Sequence, residues 1–282
     1  MAAANLLILW DFTLISTWPE LAANTKEEFD EWLADRGLLW KERPRPNCGN
    51  PQKVTNQAGG TGDDVSLKFE CFKRQCRQRG IPYEVEYVKG TFLETLRGDR
   101  KKIFLASCLF AYDLGLVKEV ARTLKVDEKS IVQWTQWFRV VLVDYYTINV
   151  TRIEGPNTVV RVDETQVAST MWAASFAGTD SLEVSRKVSS APTCGEVTTH
   201  EPRLHLRNGQ LPLNFVDLVR GVHTQRIENT WPHLKAKIRC RHGLKGDLWD
   251  DHFYEVLWKW RFNSENLLYE LWRQIAAKYP LS

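Results

Sequence analysis

The segment that decides the fold prediction is His223–Lys235, which reads His-Thr-Gln-Arg-Ile-Glu-Asn-Thr-Trp-Pro-His-Leu-Lys. Its apolar residues Ile227, Trp231 and Leu234 recur at the spacing of a buried helix face. Basic side chains are left for the other face, and Glu228 is the only acid in the segment. On spacing alone, Glu228 is either a surface ion-pair partner or a metal-binding carboxylate held beside a polyanion.

A second informative run is Val159–Thr165, in which the residues Val-Val-Arg-Val precede Asp163. A β-branched run that ends in an acid is what a strand needs to bring a carboxylate to the edge of a sheet. Similar runs occur in many strands that have no catalytic role. The run therefore predicts a strand, and it does not identify a catalytic site by itself.

Both runs resemble motifs of the Merlin family of DDE transposases and their bacterial insertion-sequence relatives. His223–Trp231 is similar to the third-carboxylate motif of that family, and Val159–Thr165 is similar to its first-carboxylate strand. The resemblance continues through Leu213–Asp217 and reaches Ile275–Pro280 near the C-terminal end.

The resemblance implies a ribonuclease-H-like core in which a sheet and a helix place three carboxylates around two divalent ions. Two metals about 4 Å apart activate the attacking oxygen and stabilise the leaving one during in-line phosphoryl transfer. Mg²⁺ or Mn²⁺ suits such oxygen ligands, and Asp163 and Glu228 supply two of the three acids. The family's second Asp has no counterpart between Thr165 and Asn214, where Asp180 is the best candidate by spacing. The core is therefore expected to be shortened.

A cysteine-bearing module is expected at residues 41–95. Three cysteines fall within it: Cys48, Cys71 and Cys76. Their spacing is typical of a zinc ribbon, in which two cysteine-bearing turns close a tetrahedral site. The resemblance implies such a ribbon, with a fourth cysteine at the position that Arg45 occupies, and the first histidine of the chain is His200. The module is thus a degenerate ribbon, which either binds Zn²⁺ weakly or has lost it and keeps buried thiols.

The clearest helical pattern lies within residues 96–150. Val117–Leu124 is predicted to form a short helix, a three-residue turn follows, and Asp127 caps a second helix. The apolar spacing predicts three buried positions in that helix: Ile131, Trp134 and Phe138. Such a pair is typical of a helix-turn-helix, although helices that are merely packed give the same pattern. The exposed face would present three side chains to phosphates or base edges: Lys129, Gln133 and Gln136.

The chain has 282 residues, of which 43% are hydrophobic, and this allows more than one domain with a proper core. We expect an α+β fold. Residues 1–40 form an N-terminal helical segment, with a capping box at Thr25. The cysteine module (41–95) and the helix-turn-helix (96–150) follow, and residues 151–282 form the shortened ribonuclease-H-like domain with its C-terminal helices.

The charge of the chain bears on which class of partner it binds. The formal charge of +3 does not identify a nucleic-acid partner, but local basic patches steer ligands. One patch offers three candidate DNA contacts: Lys235, Lys237 and Arg239.

The apolar run Leu6–Trp10 is too short to span a bilayer and lacks the flanks of a secretory signal. The six cysteines show no regular disulfide framework. We therefore expect no membrane partner and an intracellular protein, located in the nucleus if the host is eukaryotic.

Three functions remain open from the sequence. The first is a transposase-derived protein that binds double-stranded DNA and is catalytically impaired. The second is an active, metal-dependent DDE transposase that cleaves DNA and transfers strands. A homo-oligomer is compatible with both of these functions. The third is a scaffold reused for protein interaction, against which the basic helices argue only weakly.

Overall fold

The structure is a computed structural model of the chain. It describes residues 6–44, 48, 51–52, 54–56, 67–77, 80–81, 83–148, 160–167, 170–177, 181–187, 216–217, 222–223, 232, 235–236, 248–263 and 265–281. Helices and antiparallel sheets both occur, so the chain is α+β as predicted. It divides into two compact units, of which the first comprises Met1–Ile148 with Trp258–Ser282 and the second comprises Asn149–Leu257.

Seven α-helices are present in the described residues: α1 (Thr17–Ala23), α2 (Lys26–Asp35), α3 (Arg100–Ala111), α4 (Val117–Leu124), α5 (Glu128–Ile148), α6 (Leu248–Arg261) and α7 (Leu267–Lys278). Short 3₁₀ helices cover Leu7–Leu9, Arg74–Cys76 and Phe92–Glu94. Of the helices in this described part, none has both the length and the apolar character needed to cross a membrane.

Helix α2 begins where the sequence predicts. The Thr25 hydroxyl accepts a hydrogen bond from the Glu28 backbone N–H at 3.2 Å, and the Glu28 carboxylate accepts one from the Thr25 N–H at 2.7 Å. This capping box satisfies two donors that a helix N-terminus leaves unpaired. At the other end Gly37 adopts a φ of +70°, and the Leu38 N–H donates to the Leu33 carbonyl at 3.0 Å. The capping box at Thr25 is therefore confirmed.

The core of the first unit lies where α3, α5 and α7 meet. Aromatic rings fill it: the rings of Phe104 and Trp272 stack with centroids 5.5 Å apart. Two of its buried polar groups are paired, because the Trp272 indole donates to the Ser107 hydroxyl at 2.9 Å and that hydroxyl donates to the Phe104 carbonyl at 2.6 Å. Buried polar atoms need such partners to offset their loss of water.

A buried lysine joins the end of α6 to the end of α3. The Lys259 ammonium donates to the Phe110 carbonyl and to a carboxylate oxygen of Asp113, both at 2.6 Å. It also lies 4.3 Å from the centre of the Phe110 ring. A buried ammonium is costly unless it is paired, so these contacts fix where the C-terminal helices meet the rest of the unit.

Two antiparallel sheets belong to the first unit. The three-stranded sheet has the order β3 (Val54–Asn56), β4 (Leu67–Cys71) and β5 (Tyr83–Glu86), and a two-stranded sheet pairs β1 (Arg43–Pro44) with β2 (Pro51–Gln52). Central strand β4 ends at a cysteine, and this places a thiol at the sheet's end.

The second unit contains a three-stranded antiparallel sheet. Its strands are β6 (Val160–Val167), β7 (Thr170–Ala177) and β8 (Ser181–Lys187), in that order. A small two-stranded sheet pairs β9 (Val216–Asp217) with β10 (Val222–His223). The predicted strand around Asp163 is therefore confirmed, whereas the ribonuclease-H-like arrangement of the whole unit stays a prediction.

Candidate metal centre and candidate nucleic-acid interface

The cysteine module brings its three cysteines together. The Sγ atoms of Cys48, Cys71 and Cys76 all lie within 4.8 Å of one another. Cys71 and Cys76 are fully buried, and Cys48 is half-buried. All three are reduced cysteines, and none of them forms a disulfide within the part of the chain that the structure describes. Three cysteine sulfurs at this spacing can hold a metal ion, because thiolates are good ligands for soft and borderline cations.

Local backbone structure positions two of the three thiols. Strand β4 ends at Cys71, whose backbone is paired with Tyr83 of β5. The chain then turns through the 3₁₀ helix Arg74–Cys76, in which the Cys76 N–H donates to the Lys73 carbonyl at 2.9 Å. This turn carries Cys76 back to the end of the strand. Cys48 arrives from the segment between β1 and β2.

The Cys76 thiol favours its protonated form when no cation is present. Burial, followed by its hydrogen bonds with Cys71 and Cys48, raises the pKa of this thiol to about 11. A bound divalent cation has the opposite effect, because it favours the thiolate. Cys108 in α3 is different: burial alone raises the pKa of its thiol to about 12, and it lies in the hydrophobic core.

Three thiols leave one position of a tetrahedral site open. Among the residues that the structure describes, no further Cys, His, Asp or Glu joins the cluster. The first histidine of the chain is His200, and Cys194 and Cys240 belong to the second unit in sequence. Arg45, where the resemblance places a fourth cysteine, lies outside the described residues.

Helices α4 and α5 form the candidate nucleic-acid interface. Helix α4 has the predicted bounds, α5 begins directly after the predicted cap Asp127, and residues 125–127 form the turn between the two helices. Lys125 adopts a left-handed backbone conformation with a φ of +52°, and the Val126 N–H donates to the Ala121 carbonyl at 3.0 Å. Ala121 is buried, so the small side chain lies where the helices approach. The Asp127 carboxylate accepts a hydrogen bond from the Lys129 N–H at 2.7 Å and caps α5 as predicted.

The two faces of α5 are separated as the spacing predicts. The inner face is buried: Ile131, Trp134 and Phe138. Lys129 and Gln133 are exposed on the outer face. Gln136 is half-buried, and its side-chain oxygen accepts a hydrogen bond from the Arg139 guanidinium at 3.5 Å. Of the three predicted contacts, Lys129 and Gln133 are thus the more accessible.

Basic residues at the start of α3 join this surface, and the sequence reasoning missed them. The Lys102 ammonium donates to the Lys125 carbonyl at 3.4 Å, and the Trp134 indole donates to the Arg97 carbonyl at 3.1 Å. These bonds bring the N-terminus of α3 beside the start of α5. The cluster of basic residues at 97–102 was the available signal, but its position depends on tertiary packing.

The predicted catalytic carboxylates belong to the second unit, and the structure describes only part of this set. Asp163 lies in β6 opposite Ala174, and the strand continues to Val167. Asp163 is therefore at mid-strand, whereas the sequence places it near the strand end. Glu228 and Asp180 lie outside the described residues. The described residues therefore do not bring three carboxylates together.

The predicted basic patch after Glu228 is also partly described. Lys235 is helical and half-buried. Lys237 and Arg239 lie outside the described residues.

Comparison of the chain with models of protein families, with curated proteins and with solved structures finds no match. The Merlin-like assignment therefore stays a prediction that depends on the two carboxylate motifs.

Proposed function

We propose that the chain is a transposase-derived protein that binds double-stranded DNA through α4 and α5. The observation that carries the proposal is the exposure of Lys129 and Gln133 on a helix whose opposite face is buried. Both residues lie in the first two turns of α5, directly after a three-residue turn. In helix-turn-helix proteins the N-terminal residues of the second helix contact base edges in the major groove.

The charges around the start of α5 support a phosphate-rich partner. Four basic residues belong to the segments that meet there, which are the residues before α3, α3 itself, the turn and α5: Arg97, Lys102, Lys125 and Lys129. Two acids also lie there: Asp127, which caps α5, and Glu128, which is exposed in the first turn of α5. Phosphate contacts fix the orientation of a protein on the duplex, whereas base contacts supply specificity. In this proposal the cations position α5, and Gln133 reads a base edge.

The second unit is proposed to derive from a ribonuclease-H-like core. Asp163 and Glu228 would be the remaining ligands for Mg²⁺ or Mn²⁺. The placement of Asp163 on an antiparallel sheet supports this origin. Two carboxylates hold at most one hard cation loosely, and a single ion cannot contact both the entering and the leaving oxygen. We therefore expect little or no DNA cleavage or strand transfer.

The DNA-binding proposal is tested by replacing the exposed pair on α5. Lys129→Ala with Gln133→Ala should weaken duplex binding and reduce the slope of log affinity against log salt by about 0.9, the contribution of one phosphate contact. Fluorescence anisotropy with a labelled duplex measures both quantities. Lys41→Ala is the matched control, because Lys41 is an exposed cation elsewhere in the same unit. Unchanged affinity and slope in the double variant, at equal stability, would contradict the proposal.

Nicking of supercoiled plasmid in Mg²⁺ or Mn²⁺ tests the catalytic part. The expected result is intact plasmid. Nicking that is lost in both Asp163→Ala and Glu228→Ala would establish the active enzyme instead. A third acid would then be needed, with Asp180→Asn as the first substitution and Glu183 and Asp217 next. Intact plasmid together with no duplex binding would favour the protein-interaction scaffold.

A further inference from the structure

The turn that follows β4 exposes an aromatic ring beside three cations. Residues 72–77 contain Phe72 and no acid, together with three basic residues that we call the turn cations: Lys73, Arg74 and Arg77. All four side chains are exposed, and Phe72 is 62% exposed. Removing an aromatic ring from water is favourable, so a ligand that covers Phe72 gains free energy from the contact.

Hydrogen bonds hold this turn in one shape. The Cys76 N–H donates to the Lys73 carbonyl at 2.9 Å, and the Arg77 N–H donates to the Arg74 carbonyl at 3.3 Å. The Arg77 Nε–H also donates to the Phe72 carbonyl at 3.3 Å. Cys76 is buried and anchors the turn to the sheet. A ligand therefore meets a preformed surface, and its binding costs little ordering of the protein.

A second apolar residue extends this surface. Ile81 is 66% exposed and comes two residues before Tyr83, and Phe72 comes directly after Cys71. Cys71 and Tyr83 are paired across β4 and β5, and the Cα atoms of such a pair lie about 5 Å apart. Phe72 and Ile81 therefore lie at the same end of the sheet, where the surface is both apolar and cationic.

The acids of this sheet lie on its strands and not in the turn. Glu70 of β4 is paired with Glu84 of β5, and the Glu84 carboxylate lies 3.3 Å from the Lys68 ammonium. Within the described part of the chain, none of the turn cations forms an ion pair. An anionic ligand is therefore attracted to the turn and repelled by the neighbouring strands.

An exposed ring among cations suits the chemistry of an unpaired nucleic-acid strand. Each base has a flat face that stacks on an aromatic ring, and the phosphates on either side carry the negative charge. In a duplex the bases already stack on one another, so a ring reaches a base face only where a base step is opened, at a cost in free energy. A free phosphate or an acidic peptide would use the cations and leave the ring uncovered.

We propose that the turn after β4 binds single-stranded nucleic acid. Phe72 stacks on an unpaired base, and Lys73 and Arg74 contact the phosphates beside it. Arg77 holds the turn through its bond to the Phe72 carbonyl. The binding is non-covalent and tolerates different bases, because every base has a face that can stack. This inference does not depend on the proposed duplex site on α4 and α5.

Fluorescence anisotropy of the full-length chain with labelled oligothymidylate of about 20 nucleotides tests the proposal, since a single-strand domain occupies about 4–16 nucleotides. Phe72→Ala should weaken binding by about fivefold or more, because it removes the stacking ring. Phe72→Trp should bind at least as tightly as the wild type. Phe72→Leu keeps an apolar side chain without a ring and should bind more weakly than the wild type.

The charges and the bases are tested separately. Lys73→Gln with Arg74→Gln should reduce the slope of log affinity against log salt by about 1.4, the contribution of two phosphate contacts on a single strand. An abasic oligonucleotide of the same length keeps the phosphates and lacks the bases. It should bind the wild type more weakly than oligothymidylate does, and Phe72→Ala should not change its affinity.

Two further comparisons locate the site and identify the strand. Lys129→Ala with Gln133→Ala should leave the affinity for oligothymidylate unchanged, because those residues belong to the proposed duplex site. Oligouridylate of the same length shows whether DNA or RNA binds more tightly, and Phe72→Ala should weaken the binding of the preferred strand.

Four outcomes would overturn the proposal. The first is that the wild type does not bind oligothymidylate or oligouridylate. The second is that Phe72→Ala or Phe72→Leu binds the preferred strand as tightly as the wild type. The third is equal binding of the abasic strand, since phosphates alone would then explain the affinity. The fourth is a loss in the Lys129 and Gln133 variant without any loss in Phe72→Ala. The abasic comparison uses the wild-type chain, so it remains decisive if a variant does not fold.

Discussion

Replacing Gly98 with alanine tests how the start of α3 holds α5. Gly98 has a φ of +129°, a conformation that L-residues rarely adopt. A Cβ atom at this position would lie 2.8 Å from Cζ2 of Trp134. Trp134 is buried, and its indole N–H is held by the Arg97 carbonyl. The added methyl group therefore meets both backbone strain and a ring that cannot easily move.

The expected cost is the sum of two effects. Backbone strain at such a φ costs about 1–3 kcal/mol, and overpacking against a fixed side chain costs about 1–3 kcal/mol more. Gly98→Ala should therefore lower the free energy of unfolding by about 2–6 kcal/mol, a large share of the roughly 5–15 kcal/mol of a typical domain. Gly90 is the matched control: its φ is +78° and nothing lies within 4 Å of its Cβ position. Gly90→Ala should show the backbone cost alone, about 1–2 kcal/mol.

Urea unfolding, monitored by far-UV circular dichroism, measures the free energy of unfolding of each variant. Trp134→Phe removes the ring atoms nearest to Gly98, so Gly98→Ala should cost less in that background than in the wild type. Since α5 also carries Lys129 and Gln133, displacement of Trp134 should weaken duplex binding as well. The reasoning fails if Gly98→Ala costs no more than Gly90→Ala and shows no coupling to Trp134→Phe.

Three further substitutions have defined outcomes. Lys125→Gly should raise the free energy of unfolding by about 0.5–1 kcal/mol, because Lys125 has a left-handed φ that glycine adopts without strain. A free energy of unfolding below that of the wild type, measured in urea, would contradict this. Thr25→Ala should cost about 1 kcal/mol and Thr25→Ser much less, since the hydroxyl caps α2; equal losses would exclude the cap as the cause. Burial, then the neighbouring Glu270 carboxylate, raises the pKa of Glu265, so the folded chain binds this proton more readily than the unfolded chain. Stability from this group therefore increases as pH falls through the raised pKa, and Glu265→Gln should remove that part of the pH dependence of unfolding.

The sequence predicts helix starts well because their causes are local. The capping box of Thr25 and the cap of Asp127 each depend on hydrogen bonds between residues two or three positions apart. Apolar spacing likewise identifies which face of α5 is buried. These signals are complete within a few residues, so no knowledge of the rest of the fold is needed.

The partners of each buried face could not be predicted in the same way. Spacing indicates that Trp134 is buried, but its contact with Gly98 depends on how α3 and α5 pack. The basic residues of α3 reach the α4–α5 surface for the same reason, as the bond from Lys102 to Lys125 shows. The position of Asp163 within its strand was also missed, because strand length depends on pairing with β7 over its full extent.

The cysteine sheet and α5 belong to one packed structure, and this constrains how a bound cation can act. In β4, Phe69 packs against Tyr87 with ring centroids 5.7 Å apart. The chain then continues to Phe92, whose ring lies 5.9 Å from that of Phe138 on the inner face of α5. A cation held at the end of β4 would bind the folded sheet more tightly than the unfolded chain, so it would stabilise the arrangement on which this support of α5 depends. Under the proposed function, such a cation would act on the α4–α5 surface through the stability of the first unit, without any direct contact with DNA.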